Sequence, residues 1–567
     1  MAPRLPTRTE VLELLSSEER PLHAREIATR LRVSEVDYLG LQRLLDDLSF
    51  EGVLAARPGQ RFKLSRRTTP AARGNDREGI LTVNPRGFGF VASLGEGGDD
   101  VFIPPTAMAG AMHGDRVRVR IRSRGARGAE GEVTAVVERG LKRIAGTLRR
   151  KAKSAWVEPD DTRVRGPIVL SRAIDVGADG NSGNDGDAVV VAITRWPEVP
   201  GENPEGAIET VLGRPGQLAV EAAKILVLEG VSQAHADQTI REAEAFGDVI
   251  PEPMIAGRED LRHLPLPTID PEDARDHDDA VWVERTERGG YRAWIAIADV
   301  STYVTPGTAL DSEAKERGCS IYLPDRAIPM LPRALSSNLC SLLPDVDRLC
   351  LCVEAEIDAA GTVRKSRLLR GVMRSRAKLT YGGVARALGL SSEAKRERAA
   401  DDLVEGLRVA YELSRILRSN RMKRGALDFE LPEAKIVLHE ETREPIDVTR
   451  RTEDPGVKRA YQLIEELMLL ANETVARWFQ ERDVPTIYRV HAPPDEQKLD
   501  RFAAMCDALG IAFDVEDTRD PKKLGALLAS FAQHPLARVL NSLLLRSMKQ
   551  ASYDVTNIGH FGLASRA

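Results

Sequence analysis

The chain has 567 residues, 42% hydrophobic and 29% charged, which is ordinary for a water-soluble globular protein but too long for a single core, so three to five domains are expected. A net charge of −5 conceals an asymmetry: Arg116 to Arg172 holds sixteen Lys and Arg against six Asp and Glu. Five cysteines, without CxxC pairs, argue against a disulfide framework or zinc, and neither an N-terminal apolar h-region nor a run of eighteen apolar residues occurs, so no membrane association is expected and cytoplasm is the default compartment.

In chain order, residues 1–68 read as a small helical unit. Thr9 is placed to cap a helix through Leu15, Arg25 to Leu31 gives a second, and Val36 to Phe50 a third. Two short strands, Phe50 to Leu54 and Arg61 to Leu64, complete a pattern that resembles a winged helix-turn-helix. Residues 69–77, rich in Thr, Pro, Ala, Arg and Gly, read as a linker.

The next segment, 78–138, contains Arg86-Gly87-Phe88-Gly89-Phe90-Val91 and Asp100-Val101-Phe102-Ile103. Alternation puts Phe88 and Phe90 on one strand face, with glycines clearing space for a base to stack, and Phe102 on a neighbouring strand widens that platform. A barrel-filling role for these phenylalanines is the competing reading. The run Arg116-Val117-Arg118-Val119-Arg120-Ile121-Arg122 sends one face inward and offers Arg116, Arg118, Arg120 and Arg122 to phosphates. These motifs resemble the two RNA-binding motifs of cold-shock domains, five-stranded OB barrels. A second barrel over 139–200 is suggested by Gly186-Asp187 before an alternating strand, echoing Gly114-Asp115; it lacks the Gly-Phe-Gly-Phe motif. Asp175 to Asp187 is a Gly, Asn and Asp loop.

Residues 201–567 read as mixed helix and strand, with a buried strand at Ala293 to Val300 and helices over Leu403 to Leu417 and Val457 to Phe479. Glu465, Glu466 and Asn472 on the last helix are tempting as a site, but its apolar face is expected to serve the core. Six acidic residues fall in the ten positions Asp270 to Asp279 against one arginine, Arg275, with Ile269 before them and Ala280-Val281-Trp282-Val283 after. Carboxylates held beside a core repel one another and raise their own pKa values unless a cation sits among them. Hard oxygen donors suit Mg²⁺, with Mn²⁺ as the alternative. A solvated acidic turn is the competing reading; an EF-hand is excluded because Val281 stands where its glycine turn is required.

The spacing of Asp270, Asp276, Asp278 and Asp279 resembles the metal-binding signature of the ribonuclease II and ribonuclease R exoribonucleases. Further blocks resemble the same domain: Ile321 to Pro324, Ile328 to Pro332, Leu339 to Leu342, Arg546 to Ala551 and Gly559 to Leu563. The resemblance implies a multidomain architecture: a winged helix, two OB barrels and an α+β catalytic domain. It implies processive hydrolysis of single-stranded RNA, or RNA with a 3′ overhang, from the 3′ end to nucleoside 5′-monophosphates by a monomer. It assigns Asp270, Asp276, Asp278 and Asp279 to the metal, Asp278 to turnover, and Tyr322 and Phe429 to stacking on the last bases. Arg489 and His491 are expected near the RNA backbone, and His277, where an aromatic is usual, is expected to leave the carboxylates untouched. The family's arginine-bearing stretch after the Gly559 block and its closing OB domain are not found before Ala567, so an incomplete copy that binds RNA and cleaves it poorly is expected. A noncatalytic RNA-binding or remodelling protein, and a winged-helix DNA-binding regulator, are the competing readings.

Overall fold

The structure is a computed structural model describing residues 6–16, 22–31, 33–34, 37–50, 54–57, 61–64, 76–93, 100–125, 128–151, 154–170, 182–199, 201–429, 433–450, 454–511, 518, 520–531 and 533–566. The expected linker, except Asp76 and Arg77, and most of the Asp175 to Asp187 loop lie outside these residues. The chain divides into two compact units, Met1–Val231 and Ser232–Ala567. No described helix is long and apolar enough to cross a membrane.

In the first unit, α1 (Arg8–Ser16), α2 (Ala24–Arg30) and α3 (Tyr38–Phe50) accompany a three-stranded sheet of β1 (Leu22–His23), β3 (Arg61–Leu64) and β2 (Leu54–Arg57), in that order. Leu15, Leu22, Ile27, Leu41, Leu45 and Phe62 bury its core. The cap of α1 is Thr7 rather than Thr9: the Glu10 amide donates to the Thr7 hydroxyl at 3.4 Å and Glu10 Oε2 accepts from the Thr7 amide at 2.7 Å, a reciprocal box. A similar box at α2 uses His23 and Glu26.

Two closed barrels follow with one strand order. The first consists of β4 (Asp76–Val83), β5 (Gly89–Ser93), β6 (Val101–Ile103), β7 (Arg116–Gly125) and β8 (Gly128–Glu138), ordered β4-β5-β6-β8-β7. The second repeats that order with β9 (Arg143–Lys151), β10 (Ser154–Pro159), β11 (Ile168–Leu170), β12 (Ala188–Arg195) and β13 (Glu205–Gly213). The expected boundary at residue 200 is therefore too early. β13 pairs with β12 along its length and in parallel with β11, so the barrel cannot close without it, and α4 (Leu218–Leu228) packs on β9, β12 and β13. Gly206 on β13 carries no Cβ because one would sit 2.3 Å from the Val191 side chain inside the barrel.

In the second unit, α5 (Asp237–Glu244), α6 (Glu252–Ile255) and α7 (Ala309–Arg317) precede or interrupt a seven-stranded sheet. The sheet contains β14 (Glu259–Asp260), β15 (Thr268–Asp270), β16 (Asp279–Arg285), β17 (Tyr291–Ala298), β20 (Asp347–Ile357), β21 (Val363–Arg374) and β22 (Lys378–Thr380), ordered β14-β21-β20-β17-β16-β15-β22. The hairpin β18 (Ile321–Tyr322) and β19 (Ala327–Ile328) stands apart from it. One face of the sheet buries Val281, Val283, Ala293, Ile295 and Val353 against α8 (Tyr381–Ala387), α9 (Arg398–Asp402), α10 (Val404–Arg424) and α11 (Pro455–Glu481). The other buries Ala280, Trp294, Ala296, Cys350 and Cys352. Burial on both faces explains why β17 reads as a continuous apolar run.

The long helices have definite ends. Asp454 caps α11 by accepting from the Gly456 amide at 2.6 Å with Pro455 in the first turn, and α10 stops at Gly425, whose φ of 108° suits glycine. The remaining elements are β23 (Ala434–Leu438), β24 (Pro445–Arg450), β25 (Tyr488–Val490), β26 (Ser552–Asp554), α12 (Glu496–Ala508), α13 (Pro521–Ser530) and α14 (Ala537–Ser547). All five cysteines are free thiols; four are buried as expected, whereas Cys319, just after the C-terminal turn of α7, is exposed.

Candidate active site and RNA-binding surfaces

The acidic run is the connection between two neighbouring strands. Thr268 of β15 pairs with Ala280 of β16, and β15 runs parallel to β22 with Asp270 opposite Thr380. Asp270 therefore ends one strand, Asp279 begins the next, and Asp276 and Asp278 hang on the loop between them. That loop is fastened from behind. The His277 amide donates to the Ser341 hydroxyl at 3.0 Å, the His277 carbonyl accepts from the Leu342 amide at 2.8 Å, and the Asp278 carbonyl accepts from the Ala298 amide at 2.9 Å. The segment carrying Ser341 is in turn held by Arg348, 4% exposed, whose guanidinium donates to the carbonyls of Asn338 and Ser341 and to Asn338 Oδ1 at 2.8 Å.

Charge is concentrated at the open side. Burial, then the Asp270 and Asp278 carboxylates, push Asp279 up to about 7; burial, then Asp276 and Asp270, raise Asp278, whose side chain nevertheless remains exposed. Asp279 Oδ2 is buried without a hydrogen-bond partner, and the neighbouring Thr268 Oγ1 is likewise unpartnered. Among the described residues no three His, Cys, Asp or Glu side chains already converge as a ready ligand set. The donor chemistry nevertheless fits a hard divalent cation: the carboxylates supply only oxygen, they repel one another, and one buried oxygen lacks any counterpart.

The expectation that His277 leaves the carboxylates untouched is not met. Its ring is buried and Nδ1 lies 2.7 Å from Asp270 Oδ2; a carboxylate only accepts, so Nδ1 carries the proton. An aromatic hydrocarbon there could fill the space but not make this bond.

Tyr322, on β18, is 69% exposed, and its hydroxyl is 3.5 Å from Asp276 Oδ2, which brings an aromatic face to the acidic loop. Phe429 is different: it packs, half-buried, on the core formed by Leu499, Phe502, Leu524, Leu540 and Leu544, a core role that sequence could not separate from stacking. His491 also departs from expectation. Its Nδ1 accepts from the Gly562 amide at 3.0 Å and its Nε2 donates to the Lys549 carbonyl at 2.7 Å, so both ring nitrogens hold the chain's own backbone. Arg489 lies over the Tyr553 ring. On α11, Glu466 is buried against Arg421 while Asn472 is exposed.

On the first barrel, Phe90 and Phe102 face one another across β5 and β6, and Phe88 precedes β5 in the turn. The three rings pack pairwise with centroids 5.6 to 5.8 Å apart; Phe90 is exposed and the others half-buried, while Leu81, Val91, Val101, Ile103, Val117 and Val119 fill the barrel. β7 alternates as expected, but its arginines are not free: Arg116 and Arg118 pair with Glu78, Arg120 with Asp76 and Arg122 with Glu132. The sequence signal that would have disclosed this is the Asp76-Arg77-Glu78 alternation on β4, opposite β7.

Comparison with known proteins agrees with this architecture. Residues 258–567 match the RNB domain model, 79–137 the ribonuclease B OB domain and 156–232 a cold shock domain, the last extending through β13. Ribonuclease R of Aquifex aeolicus is 35% identical over 98% of this chain and 75% of its own length; that of Escherichia coli is 35% identical over 99% and 67%. Among solved structures, Mycoplasma genitalium RNase R in complex with ribose-methylated single-stranded RNA superposes with a TM-score of 0.76 at 26% identity, covering 86% of this chain and 75% of that one. Yeast Ssd1, a pseudonuclease, shares the fold at 17% identity with a TM-score of 0.62, covering 88% of this chain and 68% of that one. With two OB barrels preceding an RNB domain, this chain belongs to the ribonuclease R family of hydrolytic exoribonucleases.

Proposed function

We propose that the chain degrades RNA processively from its 3′ end to nucleoside 5′-monophosphates, acting on single strands or 3′ overhangs. The observation that carries this reading is the strand-to-strand loop that gathers Asp270, Asp276, Asp278 and Asp279 beside the exposed ring of Tyr322. The four carboxylates would hold Mg²⁺, with Mn²⁺ as the alternative, and a bound ion supplies activation of the attacking water and neutralisation of charge on the scissile phosphodiester. The protein's own residues do the positioning. His277 fixes one oxygen of Asp270, Arg348 and Ser341 hold the loop against the sheet, and Asp278, the exposed member, faces the substrate. Tyr322 offers a stacking surface that accepts any base, as an exonuclease without sequence preference requires. The platform of Phe88, Phe90 and Phe102 grips RNA upstream of the reacting end.

A 5′-labelled single-stranded RNA tests this. With Mg²⁺ or Mn²⁺ the wild type is expected to shorten it stepwise from the 3′ end, and Asp278→Asn is expected to bind it without shortening it. RNA bound but left intact by the wild type with either ion would sink the catalytic reading in favour of a noncatalytic RNA-binding protein.

A further inference from the structure

An aromatic platform holds bases but not phosphates, and on the first barrel the obvious cations are already committed. Arg116, Arg118, Arg120 and Arg122 each face a carboxylate, the first two sharing Glu78 and the others meeting Asp76 and Glu132. A different cation stands beside the rings. The turn entering β5 passes through Gly87 at φ 91°, and a Cβ there would lie 2.4 Å from the guanidinium carbon of Arg165. The side chain of Arg165, which precedes β11 of the second barrel, thus rests directly on the backbone adjoining Phe88.

Arg165 is exposed and, among the described residues, takes part in no ion pair. Beneath it runs a cleft of about 300 Å³ lined by Gly87, Met108, Gly110, Pro197 and Asn203. The other charged groups at the cleft are neutralised locally: Arg163 by Asp161 at 2.8 Å, and Glu202 by Arg195 at 2.5 Å. The wall is otherwise rich in glycine and proline, so backbone is accessible and few long side chains obstruct it. The volume is at the lower end of those that hold small ligands.

We propose that the two barrels form one composite site, in which Arg165 binds the phosphate next to a base stacked on Phe88 and the inter-barrel cleft takes the adjoining nucleotide of a single-stranded RNA. The proposal rests on the RNA-binding reading of the phenylalanine platform and deepens it: the second barrel, whose own Trp156 on β10 does not line this cleft, contributes the cation. It also gives a reason for Gly87, since any side chain there would displace the guanidinium.

The test uses the full chain in EDTA, with a fluorescein-labelled oligouridylate followed by anisotropy over a range of salt concentrations. Phe90→Ala and Arg165→Ala are each expected to weaken binding by about 5- to 20-fold, and Arg165→Ala to reduce the slope of log affinity against log salt by about 0.7, one phosphate contact on a single strand. Arg165→Lys should recover the slope, which a merely structural loss would not. Arg149→Ala, which removes a guanidinium paired with Glu158 at 2.8 Å, should change affinity less than twofold. If Phe90→Ala weakens binding while Arg165→Ala leaves affinity and slope unchanged, the composite site is wrong and the platform stands. If neither matters, the platform reading itself falls. An effect of Arg149→Ala as large as that of Arg165→Ala overturns the proposal in favour of diffuse surface charge.

Discussion

His277 Nδ1 donates to Asp270 Oδ2 across 2.7 Å, so a buried imidazole fixes one oxygen of a carboxylate whose other oxygen is available to a cation. Partners of this kind orient a ligand, and their loss typically costs tenfold or more in metal affinity. His277→Phe keeps the ring volume and the backbone bonds to Ser341 and Leu342 while removing the donor. The expected result is a rise of about tenfold in the Mn²⁺ concentration giving half-maximal RNA cleavage, with a nearly unchanged melting temperature. An unchanged Mn²⁺ requirement would reduce His277 to a packing residue.

Asp279 makes stability depend on pH in the metal-free protein. Its folded pKa, pushed up to about 7, exceeds the unfolded value of about 3.9, so between these values the folded state keeps a proton that the unfolded chain has lost. Stability accordingly falls as pH rises through that window, and the penalty is complete above about pH 7. Asp279→Asn removes the ionisation and should stabilise the EDTA-treated protein by about 2 kcal/mol at pH 8 and by almost nothing at pH 4. Denaturant titrations at the two pH values check this, and an equal gain at both would show that ionisation is not the cause.

Arg421 and Glu466 join α10 to α11 through an ion pair with side chains only 6% and 3% exposed. Truncating one member leaves the other charge buried, at a cost of about 3 kcal/mol or more. Glu465 also reaches Arg421, at 3.0 Å, but is itself 48% exposed, where such contacts contribute under about 1 kcal/mol. Glu466→Ala is therefore expected to lower the urea midpoint severely and Glu465→Ala barely. Similar shifts in the two variants would mean that water reaches the buried pair.

The elements visible in the sequence were those with strong periodicity. The β7 alternation, the apolar β17 and the long α10 and α11 helices all fall close to the expected residues, because each buries its apolar positions against a continuous core. Barrel closure was less legible: β13 lies beyond a proline- and glycine-containing stretch that reads as a boundary, and only its pairing with β12 and β11 reveals its place. At the site, the position of the acidic loop was readable from charge density beside apolar strands. The bond from His277, the commitment of the β7 arginines to Glu78, Asp76 and Glu132, and the seating of Phe429 in a core depend on neighbours distant in the chain or across a sheet. Only the arginine pairing leaves a local trace, the Asp76-Arg77-Glu78 alternation on β4; no local pattern carries the other two.

Gly406 and Trp282 set two effects against each other. In a helix interior, glycine to alanine normally stabilises by about 1 kcal/mol. Gly406 lies in the first turn of α10, where a Cβ would come within 2.0 to 2.6 Å of the Trp282 ring on β16. That ring is rigid and anchored by an indole bond to Glu284 at 3.0 Å, so relief must come from moving α10 off the sheet, an overpacking cost of about 1 to 3 kcal/mol. The clash wins: Gly406→Ala should lower the melting temperature, and Gly406→Ala with Trp282→Leu should recover most of the loss. Because β16 also begins at Asp279, the single variant should lose cleavage activity more steeply than stability, whereas the double variant regains it. A stabilised Gly406→Ala protein would mean that helix propensity outweighs the contact.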